Sequence, residues 1–98
     1  MSVTVEIKTS PRKDKKLVAI FRKDGDKIKT IHFGAKNMDD YTLTSDKAQR
    51  QRYRDRTRTV YNRSPPMSAS RLAGDILWGD SVSRSININK YKKKYGFK

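Results

Sequence analysis

Two short apolar runs joined by an Asp-Gly turn constrain this chain more than any other feature. Residues 17–21 read Leu-Val-Ala-Ile-Phe and residues 27–33 read Lys-Ile-Lys-Thr-Ile-His-Phe, with Asp24-Gly25-Asp26 between them. β-Branched and aromatic residues on both sides of Asp-Gly predict a β-hairpin, because that dipeptide accepts the positive φ angles of a tight turn. Alternation puts Lys29, Ile31 and Phe33 on one face of the second strand, and Ile28, Thr30 and His32 on the other. Val3, Val5 and Ile7 alternate with Ser2, Thr4, Glu6 and Lys8, which adds a first strand. Ser10-Pro11 and the charged run to Lys16 then read as a solvated loop. The sheet is expected over about 3–33, with Gly34 supplying the backbone freedom to end it.

Beyond the hairpin the chain changes character. Residues 44–58 (TSDKAQRQRYRDRTR) hold six basic side chains, Lys47, Arg50, Arg52, Arg54, Arg56 and Arg58, against Asp46 and Asp55. The spacing predicts a helix over 46–58, capped by Thr44 or Ser45, with Asp46 at the positive end of its dipole. Arg50, Arg54 and Arg58 fall on one stripe, Arg52 and Arg56 on a second. Ala48 and Tyr53 are left to seat the helix. Asp46–Arg50 and Asp55 with Arg52 or Arg58 are expected surface pairs, worth about 0.2–0.5 kcal/mol each. Four of the six cations would then be free for a partner.

Residues 61–64 with Pro65-Pro66 read as a rigid connector, since neither proline can continue a helix. Ser68 or Ser70 caps the next helix, 69–78, whose Ala69, Leu72, Ala73, Ile76 and Leu77 share one apolar face. Trp78 extends that face and Gly79 stops the helix. It is the predicted core helix, lying on the sheet. Val82, Ile86, Tyr91 and Tyr95 fit a last helix over 82–95 with a basic end at Lys90, Lys92, Lys93 and Lys94. The alternation of residues 86–89 also fits a strand.

Composition sets the bounds. Ninety-eight residues make a single domain, 1–98, with a modest core. Charged residues (35%) match hydrophobic ones (34%), so folding must rest on a few apolar clusters. The net charge of +14 points to nucleic acid or to acidic protein surfaces as partner. It is spread along the chain, at +4 over 1–44 and +5 over each of 45–64 and 65–98. The base type shifts from mostly Lys to almost all Arg in the middle, and Arg offers a planar bidentate fork. The chain has no cysteine, which removes disulfides, thiolate metal sites and thiol nucleophiles. No apolar run approaches a membrane span. The first residues lack signal-peptide order, so synthesis in the cytoplasm is expected.

Residues 32–42 (HFGAKNMDDYT), 45–56 (SDKAQRQRYRDR), 72–79 (LAGDILWG) and 85–97 (SININKYKKKYGF) occur in an order and spacing that resemble a family of small basic proteins of large DNA viruses of algae and amoebae. There a Phe-Gly-Ala-Lys turn, an Asp-Tyr-Thr step, an arginine-rich helix and a Leu-Trp-Gly helix end recur together. The resemblance spans about 27–97, and residues 57–68 depart from the usual form. It implies no catalytic residues. It implies a viral product made in the host cytoplasm and carried in the virus factory or the virion.

Nothing in the chain reads as an enzyme. His32, the single histidine, has no partners at metal-ligand spacing and reads as a strand residue. Asp39 and Asp40 read as turn caps or partners of downstream arginines. The serines lack a base in any triad-like arrangement. No metal, cofactor or small-molecule substrate is expected.

The expected fold is therefore α+β, with an antiparallel sheet of two to three strands followed by two to three helices. The expected function is that of a virion structural protein, a minor capsid or cement-type component. Lys47, Arg50, Arg52, Tyr53, Arg54, Arg56, Arg58 and Lys90, Lys92, Lys93, Lys94 would dock on acidic surfaces of larger capsid subunits. The alternative is sequence-independent DNA or RNA binding, with phosphates on the arginines and bases stacked on Tyr53, Tyr91 or Tyr95. A solvated helix held by its own ion pairs is the plain structural reading.

Overall fold

The computed structural model describes residues 3–98. Three antiparallel strands, β1 (Val3–Thr9), β2 (Lys15–Lys23) and β3 (Asp26–Ala35), form one sheet in the order β1-β2-β3. Helices α1 (Tyr41–Thr44), α2 (Lys47–Arg63), α3 (Ala69–Leu72) and α4 (Arg84–Tyr95) come after it, with a π-helical segment at Ala73–Leu77. This is the α+β fold expected from the sequence, with a single-turn α1 added.

The hairpin forms where Asp-Gly placed it. Asp24 and Gly25 both have positive φ, 54° and 84°, the signature of the turn that matches strand twist. A bulge between Phe21 and Arg22 makes Arg22 face Lys27, which leaves Ile28 as the extra residue of β3. β2 is the central strand, which explains its unbroken apolar run. Leu17, Ala19 and Phe21 face the helices, while Val18 and Ile20 are screened on the far side by cross-strand neighbours Lys8, His32, Glu6 and Thr30.

The core joins Val5, Leu17, Ala19, Phe21 and Phe33 of the sheet to Tyr41, Leu72, Ile76, Leu77, Trp78 and Tyr91 of the helices. Gly34 sits at φ 80°, and a Cβ there would lie 2.5 Å from Leu77 Cδ1. Glycine is therefore required both by backbone conformation and by the approach of the helix layer.

Several boundaries differ from expectation, each for a local reason. Asp46, not Thr44 or Ser45, caps α2, its carboxylate accepting from the Gln49 amide at 3.0 Å. Ser45 instead ends α1 in the left-handed conformation. α2 runs on through Tyr61 to Arg63, because proline restrains the residue before it and not the turn before that. The core helix is not one α-helix. Ser68 caps α3, but after Leu72 the chain widens, and the Trp78 amide donates to the Ala73 carbonyl five residues back. That wide turn buries Ile76, Leu77 and Trp78 in succession, while Ala69 is exposed.

α4 is a helix and not a strand, capped by Ser83. Its buried face differs from the one read from Ile86. Ile86 and Val82 are about half exposed, and Asn87 and Tyr91 are inside. Gly96 turns the chain back in a left-handed cap. Phe97 then meets Phe21 edge-on at 5.4 Å, and Lys98 exchanges backbone hydrogen bonds with Val3 and Val5 on the outer edge of β1.

Candidate functional site

The two arginine stripes of α2 do opposite things. Arg50 and Arg54 face inward. Arg50 Nη1 donates to the carbonyls of Gly79 and Asp80 at 3.2 Å each, with its guanidinium 4.4 Å above the Tyr41 ring. Arg54 Nη2 donates to the Trp78 carbonyl at 3.1 Å and to Asp80 Oδ1 at 3.0 Å. These carbonyls follow the π-helical segment, where no further helical turn supplies donors. The guanidinium groups supply them. Arg58 closes on Asp55 at 2.7 Å. This stripe, expected together with Arg52 and Arg56 to meet a partner, is thus largely occupied within the molecule.

Arg52 and Arg56 are exposed, with the Arg56 guanidinium 5.7 Å from the centroid of the Tyr53 ring. Among the described residues no acidic side chain lies within ion-pair distance of either, nor of Lys47. Asp46, expected to pair with Arg50, is used as the helix cap. Ala48 is exposed and does not seat the helix. Tyr53 does, its ring flat on Trp78 at 4.4 Å, and this burial raises its hydroxyl pKa.

Beside Arg52 and Arg56 runs a groove of about 360 Å³. α2 forms one wall, Asn37, Met38 and Asp39 the opposite lip, and Tyr53 with Trp78 the floor. It continues into a hollow of about 240 Å³ that reaches Ala73 and Leu77. Met38 is 61% exposed at its rim, a large apolar side chain that the sequence did not single out.

The lysines of α4 lie elsewhere. Lys90 is 3.9 Å from Asp80, and Lys94 donates to the Tyr61 hydroxyl at 3.0 Å and lies 3.9 Å from Asp75. Lys92 is half-buried and Lys93 exposed, neither with an acidic partner among the described residues. Arg54, Arg58 and Lys94 share a cleft of about 450 Å³ around Asp75, which Lys90 borders through an adjoining hollow. The eleven candidate residues are therefore not one surface.

Asp75, to which the sequence drew no attention, centres a polar network. It accepts from the Tyr61 hydroxyl at 2.5 Å and from the Tyr95 hydroxyl at 2.9 Å, and Arg71 donates to that Tyr95 hydroxyl at 2.8 Å. Burial first, then the Asp75 bond, pushes the Tyr61 hydroxyl up to about 12. Tyr91 is buried with its hydroxyl on the Pro66 carbonyl, and burial raises it too. The tyrosines considered for base stacking are thus committed to the fold.

Asp40 is a buried carboxylate, 1% exposed. It caps α1 and binds Lys16 at 2.6 Å and Arg84 at 3.3 Å, cations far from it in sequence. His32 is a strand residue whose Nδ1 lies 2.7 Å from the Ser10 hydroxyl. Among the described residues no cluster of three or more His, Cys, Asp or Glu could hold a metal ion, and no helix is long and apolar enough to cross a membrane.

Residues 5–57, from β1 into α2, match the model of a family of unknown function, DUF5754. No curated protein and no solved structure matches the chain.

Proposed function

We propose that this chain, which belongs to the family of unknown function DUF5754, is a small docking protein that packs on the acidic surface of a larger protein. In the setting implied by the viral resemblance of residues 27–97, the larger protein is a capsid subunit. The chain is then a minor capsid or cement-type component of the virion. The observation that carries this reading is the juxtaposition of Arg52 and Arg56, without acidic partners among the described residues, and the exposed apolar Met38 across one groove. Arginine, methionine and aromatic groups together are the composition of protein interfaces. Leu43 (61% exposed) and Val60 (59%) add apolar surface that a pure phosphate-binding face does not need.

Sequence-independent nucleic-acid binding draws on the same cations. It loses support because Trp78 covers one face of Tyr53, Tyr91 is buried and Tyr95 packs against Tyr91, which leaves little ring surface for unpaired bases.

Fractionation of purified particles tests the reading. The chain is expected with emptied shells after the genome is extracted, and salt should release it. Recovery only with the extracted genome, never with shells, would overturn it.

A further inference from the structure

Resting on that docking reading, we propose that the groove between residues 37–39 and α2 is the seat of a short acidic segment of the partner protein carrying one apolar anchor residue. Arg52 and Arg56 stand one helical turn apart on the α2 wall, about 6 Å along the axis. Among the described residues no carboxylate satisfies their forks. Two carboxylates spaced along an extended or helical segment meet them with bidentate hydrogen bonds.

The apolar half of the site lies below and opposite. Met38 forms the far rim, the stacked Tyr53 and Trp78 the floor, and the hollow beyond reaches Leu77. A single aliphatic or aromatic side chain entering over Met38 meets the apolar side chains of Met38, Tyr53, Trp78 and Leu77. The Asp40–Lys16 pair that borders this hollow is satisfied within the fold and needs no partner.

Asp39 gives the groove its selectivity. It lies on the lip across from the arginines and makes no ion pair with them. Negative charge is therefore welcome along the α2 wall only. A segment with one acidic stripe fits this division. A nucleic-acid duplex, with a charge about every 1.7 Å along its axis, brings phosphate against Asp39 as well as against the arginines.

Anisotropy titrations of labelled peptides onto the full chain test the proposal. The probe is a short glutamate-rich peptide with one central leucine, compared with the same peptide carrying serine there and with a random DNA duplex. The leucine peptide is expected to bind and to shift the emission of Trp78, the single tryptophan. Loss of the leucine, Met38→Glu, or Arg52→Glu with Arg56→Glu should each weaken binding at least about tenfold. These side chains are exposed, and unchanged circular dichroism verifies that the variants fold. Equal binding of the serine peptide, unaltered binding by either variant, or binding of duplex but not peptide at low salt would each overturn the groove assignment. In particles, Met38→Glu chain retained on shells like wild type overturns the groove alone. Wild-type chain found only with genome overturns the docking reading itself.

Discussion

The ring of Tyr53 lies flat on Trp78, centroids 4.4 Å apart and planes 8° from parallel. α2 buries no residue completely, so this stack is a principal tie between the helix and the core. Truncating a fully buried aromatic ring costs about 3–5 kcal/mol. Tyr53 is half-buried, and Tyr53→Ala is expected to cost about 2 kcal/mol and lower Tm by roughly 8–16 °C. Tyr53→Phe keeps the stack and should change stability by less than about 0.5 kcal/mol. Thermal melts followed by Trp78 emission check both. A Phe variant as weak as the Ala variant would show that the hydroxyl matters more than the ring.

The inward and outward arginines should separate in a denaturation experiment. Arg50 and Arg54 each make two hydrogen bonds to the chain at 78–80. Charge-assisted bonds are worth about 1.5–3 kcal/mol when buried. These are part-exposed and screened, so alanine at either position should cost about 1 kcal/mol. Arg52 makes no ion pair and Arg56 only an exposed contact over the Tyr53 ring at 5.7 Å, so Arg52→Ala and Arg56→Ala should each stay within about 0.5 kcal/mol. Urea midpoints measure the difference, and the reverse order would invalidate the division of α2 into two faces.

Asp40 makes the fold acid-sensitive. Burial alone would raise its pKa, but the bonds from Lys16 and Thr42 and the charges of Lys16 and Arg84 outweigh it, and the net shift is downward. A carboxyl with a depressed folded-state pKa contributes stability that is fully present above its unfolded value of about 3.9. That contribution is lost as pH falls through the lower, folded value. Wild-type urea midpoints should therefore hold from pH 7 to about pH 5 and fall steeply below about pH 4. Asp40→Asn should remove much of this acid-side slope. It should also cost about 3 kcal/mol at neutral pH, because it strands the nearly buried Lys16 ammonium. A variant that keeps the full acid slope would assign the sensitivity to another carboxylate.

The features legible in the sequence rest on local chemistry. Asp24-Gly25 specified the hairpin, the alternation at Val3, Val5 and Ile7 specified β1, and the spacing of Leu72, Ile76 and Leu77 specified a helix layer facing the sheet. Each signal is carried by neighbours within a turn or a strand. The misses need distant partners. Nothing near Arg50 or Arg54 in sequence announces the carbonyls of Gly79, Asp80 and Trp78, which lie at least 24 residues away. A cation stripe on a polar helix therefore looked free when half of it was engaged. The π turn was equally hidden, because an α-helical and a π-helical reading of residues 73–77 bury nearly the same apolar residues. Met38 reads as loop in the sequence, because its significance comes only from the arginines that line the same groove. Asn87 shows the same limit, since hydropathy placed Ile86 inside and its polar neighbour outside.

Asn87 is the sharpest remaining test of that inverted helix face. Its side-chain amide is fully used: Nδ2 donates to the Ile76 carbonyl at 2.8 Å and the Ser81 carbonyl at 2.7 Å, and Oδ1 accepts from the Ser81 amide at 3.1 Å. It bridges the end of the π-helical segment to the start of α4, where Gly79 allows close passage: a Cβ at Gly79 would lie 2.8 Å from Asn87 Cγ. Asn87→Ala removes all three bonds and leaves buried backbone groups unpaired, an expected loss of about 2–3 kcal/mol. Asn87→Asp keeps the shape but sets a carboxylate oxygen against two carbonyl oxygens. Its folded-state pKa must rise, because only the protonated form can donate. The variant should then be weakest at pH 7 and regain stability as pH falls towards 5, the opposite of the trend that Asp40 imposes. Urea midpoints of Asn87→Asp across that range decide the matter. A flat profile with near-wild-type stability would mean that residue 87 faces solvent and Ile86 the core.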